Sequence, residues 1–240
     1  MSEDIYLENG VPISRRFGDV YFSKSGGVEE TKYVFLEGNR FLERISSSRN
    51  EPLSVGELGF GSGLNFFVTL STWKENPNPC SITFTSLEGY PAERNILESL
   101  QKNYPEIQSW KEEWIGIYES KVREYKTSDS IVHWQISEIH PNGRSIFNLD
   151  VMFGGVLDCL PKFPIIELWF LDGFSPKKNP EMWSESVFSH IQKKSIPGTT
   201  LSSFTSAGFV RTGLSAVGYN IRKQKGFGKK REMILGTFVG

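Results

Sequence analysis

The segment Glu57-Leu58-Gly59-Phe60-Gly61-Ser62-Gly63-Leu64-Asn65 constrains this chain more than any other. The run Leu53 to Leu58 ahead of the glycines suits a strand, and Leu64 to Leu70 behind them has helix-compatible apolar spacing. Glycines at 59, 61 and 63 let the backbone pass close to a ligand, and a helix starting there offers unpaired N–H groups. A nucleotide-like cofactor is the expected occupant. The dinucleotide fingerprint requires Gly-x-Gly-x-x-Gly, and counted from Gly59 its last place is Leu64. The pattern present is Gly-x-Gly-x-Gly headed by an acid. A ligand with an amino group and a sulfonium cation, S-adenosylmethionine, suits that acid better than a pyrophosphate does. Glu57, Gly59, Gly61, Gly63 and Asn65 are therefore candidate cofactor residues, unless the glycines only make a tight strand-to-helix turn.

The rest of the chain repeats the strand-then-helix alternation. Ile82 to Leu87 reads as a strand ending at Glu88, which is placed to accept hydrogen bonds from ribose hydroxyls, and Pro91 to Gln101 reads as a helix. Further strands are expected at 146–151, 165–171 and 199–204, with helices at 185–194 and 207–217. The tail, 220–225 and 232–239 around Gly226-Phe227-Gly228, reads as an antiparallel hairpin. Residues 105–145, dense in Trp and Tyr, give no clear element map. Apolar runs such as Ile165–Leu171 suit strands covered on both faces, so the fold class is α/β, a doubly wound, mostly parallel sheet. Residues 1–50 read as a short β appendage, with Val20–Ser23 and Lys32–Leu36 as strands around Ser25-Gly26-Gly27. Residues 51–240 form the main domain in this reading.

Two other constellations carry chemistry. Asp172 closes a buried strand at the carboxyl edge of the sheet, where open α/β folds place their ligands. The loop behind it brings Phe174, Lys177, Lys178, Asn179 and Trp183, with aromatic faces for a base and cations for phosphate; the plainer alternative makes Asp172 a loop cap and Trp183 core. The stretch 222–231 carries six cations in ten positions, with Lys229, Lys230 and Arg231 beside Phe227. It is either a phosphate-binding surface or a solvated hairpin. Lys plus Arg is 27 and Asp plus Glu is 28, so no global field draws the chain to a polyanion and any nucleic acid must be held by such a local patch. Two cysteines and three scattered histidines support neither a disulfide framework nor a zinc site, and a metal is not expected. Gly61-Ser62-Gly63 lacks the spacing of a nucleophile elbow, which argues against a hydrolase. No apolar window is long enough to span a membrane, and the N-terminus lacks a signal-peptide form, so a cytoplasmic protein is expected.

Taken in order, Asp19–Ser23, Glu30–Asn39, Glu57–Phe66, Leu171–Trp183, Phe204–Arg211 and Lys225–Met233 resemble the bacterial MnmD family, which is similar to the methyltransferase half of the bifunctional MnmC enzymes. The resemblance runs from about residue 17 to 236. It implies a class I, Rossmann-like, S-adenosylmethionine-dependent methyltransferase. The implied reaction converts wobble 5-aminomethyl-2-thiouridine in tRNA to 5-methylaminomethyl-2-thiouridine, with the anticodon stem-loop as partner. Asp172 is then the candidate base; Tyr21, Phe174 or Trp183 would stack on an extruded base, and Lys177, Lys178 and the 222–231 cluster would hold phosphates. The bifunctional members continue into a flavin-dependent oxidase domain; here Gly240 ends the sequence, so separate enzymes are expected to supply the aminomethyl group. Where the family shows Gly-Asp after the third strand, this chain reads Phe153-Gly154-Gly155, so adenine recognition would pass to Asp158 or to backbone groups. Rival readings are a methyltransferase of a small-molecule or protein amine, a non-catalytic RNA-binding Rossmann-like protein and, less favoured because of Leu64, a nicotinamide oxidoreductase.

Overall fold

The computed structural model describes residues 5–8, 11–20, 26–102, 104 and 110–240. Its centre is strand β4 (Leu53–Leu58), paired in parallel with β5 (Ile82–Glu88) on one side and β8 (Ile166–Leu171) on the other. Outward from β5 lie β7 (Ile146–Phe153), parallel, and β6 (Val132–Ile139), antiparallel. Outward from β8 lie β9 (Ser195–Ser203), parallel, then β11 (Glu232–Phe238) and β10 (Tyr219–Lys225). Strand β11 runs antiparallel to both its neighbours, so the chain reaches the edge at β10 before returning inside it.

Alternation along these strands divides the core between the two faces of the sheet. Phe170 points into one cluster with Val55, Phe84 and Phe147, while its neighbours Trp169 and Leu171 point into the other. The first face is covered by α1 (Gly27–Thr31), α2 (Phe41–Ser46), α3 (Leu64–Glu75), α4 (Arg94–Gln101) and α5 (Glu112–Thr127), which contribute Val28, Phe41, Phe66, Leu97 and Trp114. The second is covered by α6 (Val156–Cys159), α7 (Glu185–Lys193) and α8 (Gly208–Ala216). The expected doubly wound α/β architecture with its terminal hairpin is the one found. Among the described residues no helix is long and apolar enough to cross a membrane.

The N-terminal segment differs from the sequence expectation. A small antiparallel sheet is present, formed by β1 (Ile5–Glu8), β2 (Val11–Ser14) and β3 (Asp19–Val20). Lys32–Leu36, expected as a strand, is instead a π-helical turn, Lys32–Glu37, continuing α1. Its β-branched and aromatic residues are overruled by tertiary packing: Val34, Phe35 and Leu36 are all buried, with the Phe35 ring 5.3 Å from that of Phe170. Asn39 then closes the helix, donating from Nδ2 to Phe35 O, Trp169 O and Ser202 Oγ. In the unmapped stretch the structure has α5 and β6. Helix α5 buries Trp114, Ile115, Tyr118 and Val122, a helical spacing obscured in sequence by residues that favour strands.

Candidate active site

The glycine turn folds as its composition demands. Gly59, Gly61 and Gly63 all take left-handed φ values, 83°, 56° and 79°, which cost other residues steric strain. A Cβ on Gly63 would lie 2.9 Å from the Phe60 ring. The turn is fixed to the next strand by two hydrogen bonds: Phe60 N donates to Leu87 O at 2.9 Å, and Gly61 N donates to Glu88 Oε2 at 2.8 Å. Tyr90 N donates to the other oxygen, Oε1, at 2.7 Å. Both Glu88 oxygens are thereby held at the rim of the cleft.

Behind the turn lies a hydrogen-bonded acidic group. Asn65, on the first turn of α3, donates from Nδ2 to Glu57 Oε1 at 2.9 Å and to Asp172 Oδ2 at 2.8 Å. Ser86 Oγ donates to Glu57 Oε2 at 2.6 Å, across the β4–β5 pair in which Glu57 and Ser86 are directly opposite. Thr31 Oγ1 donates to Asn65 Oδ1 at 2.8 Å. Gly173 N donates to Asp172 Oδ1 at 2.8 Å. Burial pushes the Glu57 carboxyl up to about 8, against the opposing effect of its two hydrogen bonds. Burial likewise pushes Asp172 up to about 6, while the Gly173 and Asn65 donors and the Lys230 charge pull it down. Near pH 7 this gives one neutral acid inside and one carboxylate at the cleft.

The cleft itself has a volume of about 460 Å³ and opens at the carboxyl ends of β4, β5 and β8. Among the expected site residues, Gly59, Gly61, Asn65, Glu88, Asp172, Phe174, Asn179 and Lys230 line it, whereas Gly63 and Glu57 do not: Glu57, the acid expected to meet the cofactor, is 1% exposed behind the wall with its oxygens held by Asn65 and Ser86. Phe174 stacks on Phe17 with ring centroids 4.7 Å apart. Sequence reasoning did not single out Phe17, Glu30, Thr31, Tyr90 or Tyr125, which also line it. Glu30 and Thr31 come from α1, in a segment whose helical form the sequence masked, and Phe17 from the turn between β2 and β3.

Several expectations need correction. Trp183 is 2% exposed and donates from Nε1 to Phe174 O at 3.0 Å, so its ring braces the loop and has no face for a base. Lys178 Nζ donates to Gly18 O and Asp19 Oδ1, and Ser175 N donates to Asp19 Oδ2, so this lysine ties the loop to the N-terminal sheet. Lys177 is exposed, as are Lys229 and Arg231 on the hairpin outside the cleft. Asp158 is exposed and does not line the cleft; Gly154, Gly155 and Val156 do. Tyr21 lies outside the described residues. Among the described residues, no group of three His, Cys, Asp or Glu side chains is arranged to hold a metal ion.

Residues 95–238 match the sequence pattern of a family of S-adenosyl-L-methionine-dependent methyltransferases. The chain is 41% identical over 234 residues to the tRNA 5-methylaminomethyl-2-thiouridine biosynthesis bifunctional protein MnmC of Ectopseudomonas mendocina (strain ymp), covering 96% of this chain and 34% of that protein. It is 39% identical over 244 residues to the protein of the same name from Vibrio campbellii, again covering 96% and 34%. The chain therefore spans about a third of the length of the curated relatives it matches. Among solved structures, MNMC2 from Aquifex aeolicus superposes with a TM-score of 0.66 at 22% identity, covering 95% of this chain and 66% of that one, a likeness of fold.

Proposed function

Because the chain belongs to the family of S-adenosyl-L-methionine-dependent methyltransferases, we propose that it methylates the primary amine of wobble 5-aminomethyl-2-thiouridine in tRNA, giving 5-methylaminomethyl-2-thiouridine. The observation that carries this reading is the similarity, along 96% of the chain, to proteins named for making that nucleoside. The site supports it chemically, since its acid at the cleft faces a space able to admit an amine. Such a substrate implies a cytoplasmic reaction, preceded by one that generates the aminomethyl group.

The residues present fit the cofactor. A cleft of about 460 Å³ is within the range of roughly 300–1,000 Å³ usual for ligands of this size. Gly59 passes beside the Asp172 loop, where a Cβ would only touch Gly173 Cα at 3.5 Å, so it is the left-handed φ of 83° that favours glycine there. Glu88 would accept hydrogen bonds from the ribose hydroxyls. The backbone of Gly154–Val156 would border the adenine, since these residues line the cleft and Asp158 does not. S-Adenosylmethionine, when bound, would supply an electrophilic methyl on its sulfonium sulfur, with the thioether as leaving group.

The protein's own task is to manage the amine proton. A primary alkylamine titrates near 10.4, so only about one molecule in two thousand is neutral at pH 7, a handicap of roughly 4–5 kcal/mol. Asp172 accepts that proton on its carboxylate. Held near 6, it is ionised at neutral pH and a better acceptor than an ordinary aspartate. Asn65 and Gly173 fix both of its oxygens, so the carboxylate does not rotate away. On the hairpin, Lys229 and Arg231 would meet phosphates, and Phe174 would stack on the base.

The test is transfer of labelled methyl from S-adenosylmethionine to tRNA from cells lacking this enzyme, followed by nucleoside digestion. Label in 5-methylaminomethyl-2-thiouridine is the expected result. Transfer to a small or protein amine but not to tRNA would replace this reading with that one.

A further inference from the structure

Lys230 Nζ lies 2.5 Å from Glu30 Oε1 and 4.9 Å from the centroid of the Phe204 ring. Glu30, Phe204 and Lys230 all line the cleft that Asp172 also lines. The Glu30 side chain is 15% exposed and that of Lys230 45%, so the carboxylate is part of the wall and the lysine reaches in from outside. A carboxylate and an aromatic face thus hold a primary alkylammonium beside the candidate base. Charge-assisted hydrogen bonding and the ring quadrupole both favour that occupant. The proposed substrate carries the same functional group on a single methylene.

On the amine-substrate reading above, we propose that Glu30 and Phe204 form the recognition subsite for the substrate's ammonium, and that Lys230 fills it as an internal stand-in until the substrate arrives. Lys230 belongs to the cationic hairpin, where Lys229 and Arg231 are exposed, and its long stem permits it to swing outward. An RNA phosphate offers it a new anionic partner. The exchange leaves no charge unpaired: Glu30 trades one ammonium for another, and Lys230 trades a carboxylate for a phosphate. Losing the ammonium without replacement would weaken the pairing of a partly buried charge. Only a ligand with both an ammonium and phosphates satisfies both ends, so a tRNA with an unmodified uridine leaves Glu30 with its lysine. Glu30 then positions the amine and Asp172 receives its proton, a division of labour between two carboxylates.

The experiment titrates 5-(aminomethyl)uracil and 5-methyluracil into the full chain loaded with S-adenosylhomocysteine, followed by calorimetry. Lys230→Ala, which vacates the subsite, is expected to bind the amine at least tenfold more tightly than the methyl analogue. Adding Glu30→Gln should abolish that preference, and adding Phe204→Leu should reduce it about threefold, with S-adenosylhomocysteine affinity within twofold throughout. With tRNA as substrate, Glu30→Gln should raise KM at least tenfold with kcat within threefold. If Glu30→Gln melts early, Glu30→Asp, which keeps the charge but shortens its reach, should weaken the preference instead. No preference in Lys230→Ala, or one that survives both Glu30 variants, overturns the subsite. Failure of the wild-type chain to methylate tRNA would overturn the proposed substrate and leave the amine preference to be read separately.

Discussion

Thr31 donates its hydroxyl to Asn65 Oδ1 at 2.8 Å, joining the helix ahead of β4 to the first turn of the helix after the glycines. This bond orients the Asn65 amide so that Nδ2 faces Glu57 and Asp172 together. Asn65→Leu should remove the donor from both acids. Without a hydrogen bond to its ionised form, Asp172 should titrate higher, and the acid limb of the kcat/KM profile should move upward in pH. The melting curve should show a loss of about 1–3 kcal/mol from the unpaired buried groups. Thr31→Val should move the limb less, and Thr31→Ser should restore it.

Asp172 sets the pH dependence of turnover. With its carboxyl near 6, kcat/KM should rise with pH through about 6, well above the range of an ordinary aspartate. Asp172→Asn should erase that limb and lower kcat roughly 10²–10⁴-fold. Affinity for S-adenosylmethionine, measured by calorimetry, should change far less; equal losses would make Asp172 a cofactor-holding group.

Glu57 should make the fold less stable in base. The folded chain keeps this proton up to about pH 8, whereas the unfolded chain releases it near 4.3, so between those values the folded state binds more protons. Stability is then full below the unfolded value and is lost as pH rises toward 8, by up to about 4 kcal/mol. Glu57→Gln, which imitates the neutral acid, should flatten that decline in urea unfolding at pH 5, 6, 7 and 8. A variant less stable than wild type at pH 8 would show that the ionised form is tolerated.

Gly63→Ala tests the turn itself. Its φ of 79° and a 2.9 Å approach to the Phe60 ring both penalise a methyl group. A stability loss of roughly 1–2 kcal/mol is expected from the left-handed backbone alone, together with weaker S-adenosylmethionine binding.

Lys177 and Lys178 are adjacent but should behave differently. Lys177→Ala should lower the salt dependence of tRNA binding by about one counterion. Lys178→Ala removes one of the loop's two ties to Asp19, leaving that from Ser175 N, and should raise KM with little change in that slope.

The parts of the site carried by one contiguous stretch were legible in the sequence. The glycine turn, Asn65, Glu88 and Asp172 all follow strands whose apolar runs end sharply, so the fold alone delivers them to one edge. Residues whose role depends on a distant partner were not. Thr31 acts through Asn65, and nothing local announces it. Lys178 reads as a free cation until Asp19 is placed beside it. Trp183 and Phe174 look alike as aromatic loop residues, and only burial separates the buried brace from the half-buried ring at the cleft. Lys32–Leu36 has the composition of a strand, yet packing on Phe170 and the Asn39 clasp make it helical.

The contacts that complete the cleft also fix when it can exist. Glu30 meets Lys230 across 200 positions of sequence, and Tyr33 reaches Lys225 O across 192. Such pairings are slow to find and close only after the intervening chain is available. On the ribosome, the glycine turn and its flanking strands can form while later strands are still unmade, but the wall opposite Asp172 is missing until the final hairpin emerges. The cleft is therefore complete only once residues 219–238 have been made.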